Sequence, residues 1–102
     1  MAESQSPIET APDCADEAIR LVCVMNEQGL HARPAAKLAQ AAQQFEAAIS
    51  ISMGPQVVDA KSILDILTLA AGHGANLELR ARGSDACDAL EALADMFKNR
   101  FQ

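Results

Sequence analysis

The stretch "AAISISMGPQVVDA", residues 47–60, reads as two short strands joined by a tight turn. Ile49, Ile51 and Met53 alternate with Ser50 and Ser52, so one face is apolar and the other wet. Gly54 and Pro55 reverse the chain, and "QVVDA" returns as the second arm of a hairpin. The same alternation recurs in "ANLELRAR" (75–82), where Leu77, Leu79 and Ala81 are interleaved with Glu78, Arg80 and Arg82. In "AIRLVCVM" (18–25) it sets Ile19, Leu21, Cys23 and Met25 on the side expected to face the core. Parallel sheets bury both faces, whereas antiparallel sheets can leave one to water. The sheet is therefore expected to be antiparallel and covered on one side only.

Between these strands the period changes. From Pro34 onward, Ala35, Leu38, Ala39, Ala42 and Phe45 form an apolar stripe, with Lys37, Gln40 and Gln44 away from it, which predicts a helix over 32–45. Pro34 suits its first turn, where a missing N–H is no loss. "SILDILTLAAG" (62–72) opens on Ser62 with Asp65 three residues on, a capping-box pattern, and is expected to end at Gly72. "GSDACDALEALADMFKNRF" has Ser84 as its expected N-cap and a stripe of Ala86, Leu90, Leu93, Phe97 and Phe101. The order is β-α-β-β-α-β-α, an α+β open-faced β-sandwich: a four-stranded antiparallel sheet with three helices on one face.

Half of the 102 residues are apolar and 22% are charged, which suits one soluble domain with a single two-layer core. No run of about 18 apolar residues offers a membrane span, and the N-terminus lacks the basic start and apolar centre of a secretory signal. Charge is uneven. Residues 1–18 hold five acids and no base, whereas the remainder holds nine acids and eight bases. Residues 1–18 are expected to form a disordered acidic leader, and 19–102 a nearly neutral folded body for which no nucleic-acid partner is expected. Cys14, Cys23 and Cys87 show no C-x-x-C spacing. They are read as free thiols, the latter two on apolar faces, in a reducing cytoplasm. No metal or cofactor is expected, and His73 in "GHG" reads as a solvated loop residue.

"GLHARPA" (29–35) is the stretch that carries chemistry. An imidazole has an unperturbed pKa of about 6.5, so His31 offers a nucleophilic nitrogen near neutral pH. A phosphoryl group there would need donors, and the first N–H groups of the 32–45 helix have no intrahelical acceptor. The helix dipole adds about 0.3–1 kcal/mol. Arg33 can grip phosphate oxygens through its planar fork, each charged hydrogen bond being worth roughly 1.5–3 kcal/mol. Gly29 lets the backbone turn tightly under the ring. No second carboxylate or histidine is placed to activate water, so the site suits a carrier better than a hydrolase. On residue chemistry alone a second reading stands beside it, in which His31 caps the helix and Arg33 is a solvated charge.

The 62–69 segment breaks the tie. Ile63, Leu64, Ile66, Leu67 and Leu69 are too many large apolar groups for one buried stripe. Ile63, Ile66 and Leu67 can face the sheet, leaving Leu64 outward as the centre of a binding surface. Ser62, beside Lys61 at the helix start, can carry a phosphate favoured by the dipole, with Asp65 opposing it.

"NEQGLHARPAAKLAQAAQQFEAAISI" and "DAKSILDILTLAAGHGANLELRARGSDACDALEAL" resemble the HPr family, the histidine-containing phosphocarriers of the bacterial phosphoenolpyruvate-dependent phosphotransferase system. The likeness covers about residues 19–101. It implies that His31 takes a phosphoryl group on Nδ1 from phospho-enzyme I and passes it to an enzyme IIA component. Arg33 and the backbone amides of Ala32 and Arg33 would stabilise it. It implies regulatory phosphorylation at Ser62 by an HPr kinase/phosphorylase, and partner contacts, a transcriptional regulator among them, through Leu30, Ile63, Leu64 and Leu67. A cytoplasmic monomer is expected. Two departures stand out: Gln28, where the family commonly has Asn or Ser, and Asp65, where it often has Gly or Lys. The alternatives are a nitrogen-branch HPr-like regulator and a non-catalytic interaction module; a metal site built on His31, His73 and the cysteines lacks ligand spacing.

Overall fold

The computed structural model describes residues 17–102. Within them the chain runs β1 (Glu17–Cys23), α1 (Ala32–Ala42), β2 (Ala48–Met53), β3 (Gln56–Asp59), α2 (Ile63–Thr68), β4 (Asn76–Arg82) and α3 (Ala86–Lys98). This is the expected β-α-β-β-α-β-α order. The four strands form one sheet in the order β1-β4-β2-β3, with every neighbouring pair antiparallel. At the hairpin, Met53 lies opposite Gln56, and Gly54 takes a φ of 60° before Pro55. Glycine first and proline second give the φ signs of a II′ turn, whose twist matches the flanking strands.

Register decides which side chains meet the helices. Ile49 lies opposite Ala81 and Ile51 opposite Leu79, all on the covered face and all buried. Above them sit Leu38, Ala39 and Ala42 of α1, Ile66 of α2, and Leu90, Leu93 and Phe97 of α3. Each fully buried Leu, Ile or Phe here contributes roughly 1.5–3 kcal/mol by leaving water. The alanines let α1 approach closely. Glu78, Arg80 and Arg82 stand on the open face, where Arg80 pairs with Glu78 at 2.8 Å.

The first strand reverses its expected face. Ile19, Leu21 and Met25 are exposed, at 46%, 78% and 41%, whereas Ala18 and Val24 are buried. Both parities of "AIRLVCVM" are largely apolar, so bulk favoured the wrong one. Pairing with β4 sets Ala18 opposite Ala81 and Val22 opposite Leu77, and a one-residue choice of register turns every side chain over. The strand also starts at Glu17, so Glu17 and Ala18 belong to the sheet. The rest of the expected leader, Cys14 included, lies outside the described residues.

Helix ends differ as well. The first helix stops at Ala42; Gln44 and Phe45 instead close tighter turns on Ala41 and Ala42. The second ends at Thr68, four residues before Gly72, and Ala70 makes the reversal at a φ of 50°. The third begins after Asp85 and not after Ser84. Cys23 is a half-buried free thiol, but Cys87 is disulfide-bonded, so the expectation of unpaired thiols fails there.

Candidate functional site

His31 is the N-cap of α1, with extended backbone (φ −79°, ψ −171°), and its side chain makes no cap hydrogen bond. The ring is exposed. The reading of His31 as a mere helix cap is thereby set aside. The first intrahelical bond runs from the Ala35 N–H to the His31 carbonyl at 3.0 Å. Pro34, the third helical residue, has no N–H to give. The N–H groups of Ala32 and Arg33 therefore stand at the helix start without intrahelical acceptors.

The loop before the ring is held from below. Gly29 has a φ of 73°, and a Cβ there would come within 2.8 Å of the Gly72 Cα. Only glycine fits both that conformation and that approach. The next residue donates its N–H to the Ala71 carbonyl at 2.9 Å, and its side chain, Leu30, is 4% exposed. The expectation that Leu30 faces partners is corrected here: it is a core anchor that fixes the backbone one residue before His31.

His31 and Arg33 share the wall of a concavity of about 320 Å³ with Asn26, Gln28, Arg100 and Gln102. None of these six carries an acidic side chain. Among the described residues, Arg33 has no ion-pair partner. An exposed imidazole, two free helix-start amides and an unpaired guanidinium make a receptor for an anion. His73 is exposed in the loop after α2 and does not line this concavity. Among the described residues, no group of three His, Cys, Asp or Glu side chains is placed to hold a metal ion.

The α2 region is built differently. Ser62 caps this six-residue helix by accepting the Asp65 N–H at 3.2 Å. The Asp65 carboxylate accepts from the Asp59 N–H at 3.3 Å, so the reciprocal half of a capping box is absent. Lys61, expected to favour a phosphate on Ser62, donates its ammonium to the Phe45 carbonyl at 2.8 Å. Ile66 and Leu69 are buried and Leu67 half-buried, while Leu64 is 75% and Ile63 38% exposed. Leu64 points outward as expected; Ile63 joins it there and leaves the sheet-facing set. Sequence reasoning missed Asn26, Lys37 and Arg100. Asn26 donates to the Arg100 carbonyl at 3.0 Å, and Lys37 to the Phe101 carbonyl at 2.9 Å. These pairs are distant in the chain, so no local spacing signals them.

Fold and site define an open-faced α+β domain that presents an exposed histidine at a helix start. The family model of the PTS HPr component phosphorylation site matches residues 19–99. The phosphocarrier protein HPr of Treponema pallidum is 42% identical over 84 residues, covering 82% of this chain and 96% of that one. A crystal structure of an HPr from Thermoanaerobacter tengcongensis superposes with a TM-score of 0.80 at 36% identity, covering 82% of this chain and 94% of that one. The HPr of Bacillus anthracis gives 0.76 at 43% identity, over 79% and 96%. The chain belongs to the HPr family, the phosphocarriers of the bacterial phosphotransferase system. Membership implies partners from that system, such as enzyme I and enzyme IIA. Among the described residues, no helix is long and apolar enough to cross a membrane.

Proposed function

We propose that this chain accepts a phosphoryl group from phospho-enzyme I on Nδ1 of His31 and passes it to a histidine of an enzyme IIA component, serving sugar uptake and its regulation in the cytoplasm. The observation that carries this reading is the exposed His31 ring, uncommitted to capping, beside two free amides and the unpaired Arg33. In the transfer, the Nδ1 lone pair forms a new P–N bond while the donor's P–N bond breaks, its electron pair staying on the donor nitrogen. Arg33 and the amides of Ala32 and Arg33 hold the phosphoryl oxygens, whose charge would otherwise need water. No Asp or Glu side chain lines the concavity to direct water at phosphorus, which suits a carrier that must keep its cargo until a partner arrives.

Ile63, Leu64 and Leu67 supply the docking surface in this proposal, and Ser62 at its edge is the regulatory phosphorylation site. An HPr kinase/phosphorylase modifies it, and a transcriptional regulator reads the result. A dianion beside an apolar surface that must desolvate opposes docking. The test of the carrier role is incubation with enzyme I and phosphoenolpyruvate. Acid-labile phosphate is expected on the native chain and none on His31→Ala. Equal labelling of both would remove His31 from the mechanism.

A further inference from the structure

The segment after α3 is held in an uncommon shape. Arg100 and Phe101 have φ values of 57° and 61°, in the left-handed region that residues with a Cβ seldom enter. Such conformations persist where surroundings over-determine them, and they cluster at functional sites. Here Asn26 Nδ2 donates to the Arg100 carbonyl at 3.0 Å and Lys37 Nζ to the Phe101 carbonyl at 2.9 Å. The Phe101 N–H donates to the Met96 carbonyl at 2.8 Å, and its ring meets Phe97 edge-on at 4.9 Å between centroids. Asn26 precedes the His31 loop and Lys37 sits on the helix that His31 caps. The chain's last turn is thus fastened to the site, and Arg100 is set on the wall of the concavity that holds His31 and Arg33.

Most of the other cations are already engaged. Arg80 pairs with Glu78 and Glu17, Arg82 lies 4.0 Å from Glu17, and Lys37 and Lys61 bind carbonyls. Among the described residues, the Arg33 and Arg100 guanidiniums have neither an ion pair nor a hydrogen bond. Two unpaired forks stand around one concavity whose lining holds no Asp or Glu side chain.

We propose that Arg100 is a second phosphoryl-binding guanidinium of this site, an inference that rests on the phosphocarrier reading. As the phosphoryl group passes from the donor nitrogen to His31, its peripheral oxygens retain their charge. Arg33 and the helix amides meet that charge from the α1 side, and Arg100 meets it from the end of α3. The planar fork suits two of those oxygens at once.

The test compares Arg100→Ala, Arg100→Lys and Arg100→Gly in the full chain. Glycine suits the φ of 57°, so it removes the guanidinium without straining the turn. Single-turnover transfer from phospho-enzyme I is expected to slow about tenfold for Ala and Gly alike, with Lys between them and native. Thermal unfolding should match the native chain for Ala and Lys and be no lower for Gly. A second readout needs no enzyme: inorganic phosphate is titrated while the Ala32 and Arg33 amide resonances are followed, and its affinity should fall about tenfold in Arg100→Gly. Native transfer rate and native phosphate affinity in Arg100→Gly would overturn the proposal. Slowing in Ala but not in Gly would assign the effect to backbone shape and overturn it equally. Should the native chain itself take no phosphoryl group on His31, the carrier reading falls, and the phosphate titration still decides for or against Arg100.

Discussion

The starts of α1 and α2 answer the same physical problem in opposite ways. Every helix begins with N–H groups that lack intrahelical acceptors. Ser62 satisfies one of them at α2 with its own hydroxyl, at 3.2 Å. His31 satisfies none at α1, and its ring stands free in solvent. A self-capped start is more stable but has spent one of its donors; an uncapped one keeps them all for a ligand. In the function proposed above, phosphoryl chemistry falls at the uncapped start, and the serine proposed for regulation falls at the capped one. Under that proposal the contrast explains why the accepting residue is a poor capping residue and why stability is drawn from beneath it, through Gly29 and Leu30.

The largest effect that would sharpen this contrast is at His31. Replacing it with Ala is expected to abolish phosphoryl acceptance while changing stability by less than about 0.5 kcal/mol, since an exposed ring without a cap bond contributes little. Denaturant unfolding alongside the labelling assay checks both halves. A loss of several kcal/mol would mean that the ring does structural work in the loop.

Next in size is Leu64→Glu. With Leu64 75% exposed, the fold should be indifferent to the change. Affinity for enzyme I, measured by titration calorimetry, is expected to fall about tenfold or more, because burying an unpaired carboxylate at an apolar contact is costly. Unchanged affinity would take the α2 surface out of the docking proposal.

Ser62→Ala tests the capped start. It is expected to cost about 1 kcal/mol by freeing the Asp65 N–H, with His31 phosphorylation by enzyme I unaffected. If His31→Ala proved the costlier of the two in urea, the contrast between the starts would be broken.

Much of this was legible in the sequence, and the failures share a cause. Alternation in β2 and β4 gave their buried faces because the other parity was polar: Ser50 and Ser52 in one, Glu78, Arg80 and Arg82 in the other. In β1 both parities are largely apolar, so only the register against β4 could choose, and that information lies in another strand. His31, Arg33, Ser62 and Leu64 were visible because local motifs carry them. Leu30 looked like a surface residue of the same motif, yet its burial depends on the Ala71 segment folding under it. Asn26, Lys37 and Arg100 are assembled by tertiary contact alone, and no period or spacing reports such a meeting.

The third helix start supplies the smallest and most selective test. Asp85 is the N-cap of α3, but its carboxylate does not cap that helix. Its two oxygens instead accept the Glu46 and Ala47 N–H groups, at 2.9 and 2.8 Å, tying α3 to the link between α1 and β2. The Glu46 amide bond is the main cause holding the Asp85 pKa below its ordinary value of 3.8, with the Ala47 amide and the Lys61 charge adding to it and desolvation opposing. A carboxylate whose folded value lies below its unfolded value stabilises the fold fully above the unfolded value. That contribution fades as pH falls through the folded one. Protonation weakens both acceptors at once, so the tie should loosen under acid. Urea unfolding between about pH 5 and pH 2 should therefore show a shallower decline for Asp85→Asn than for the native chain. The variant should start less stable at neutral pH, because an amide offers one acceptor where two donors wait. Parallel curves across that window would mean that Asp85 titrates alike in the folded and unfolded chain, and that the third start has no special use.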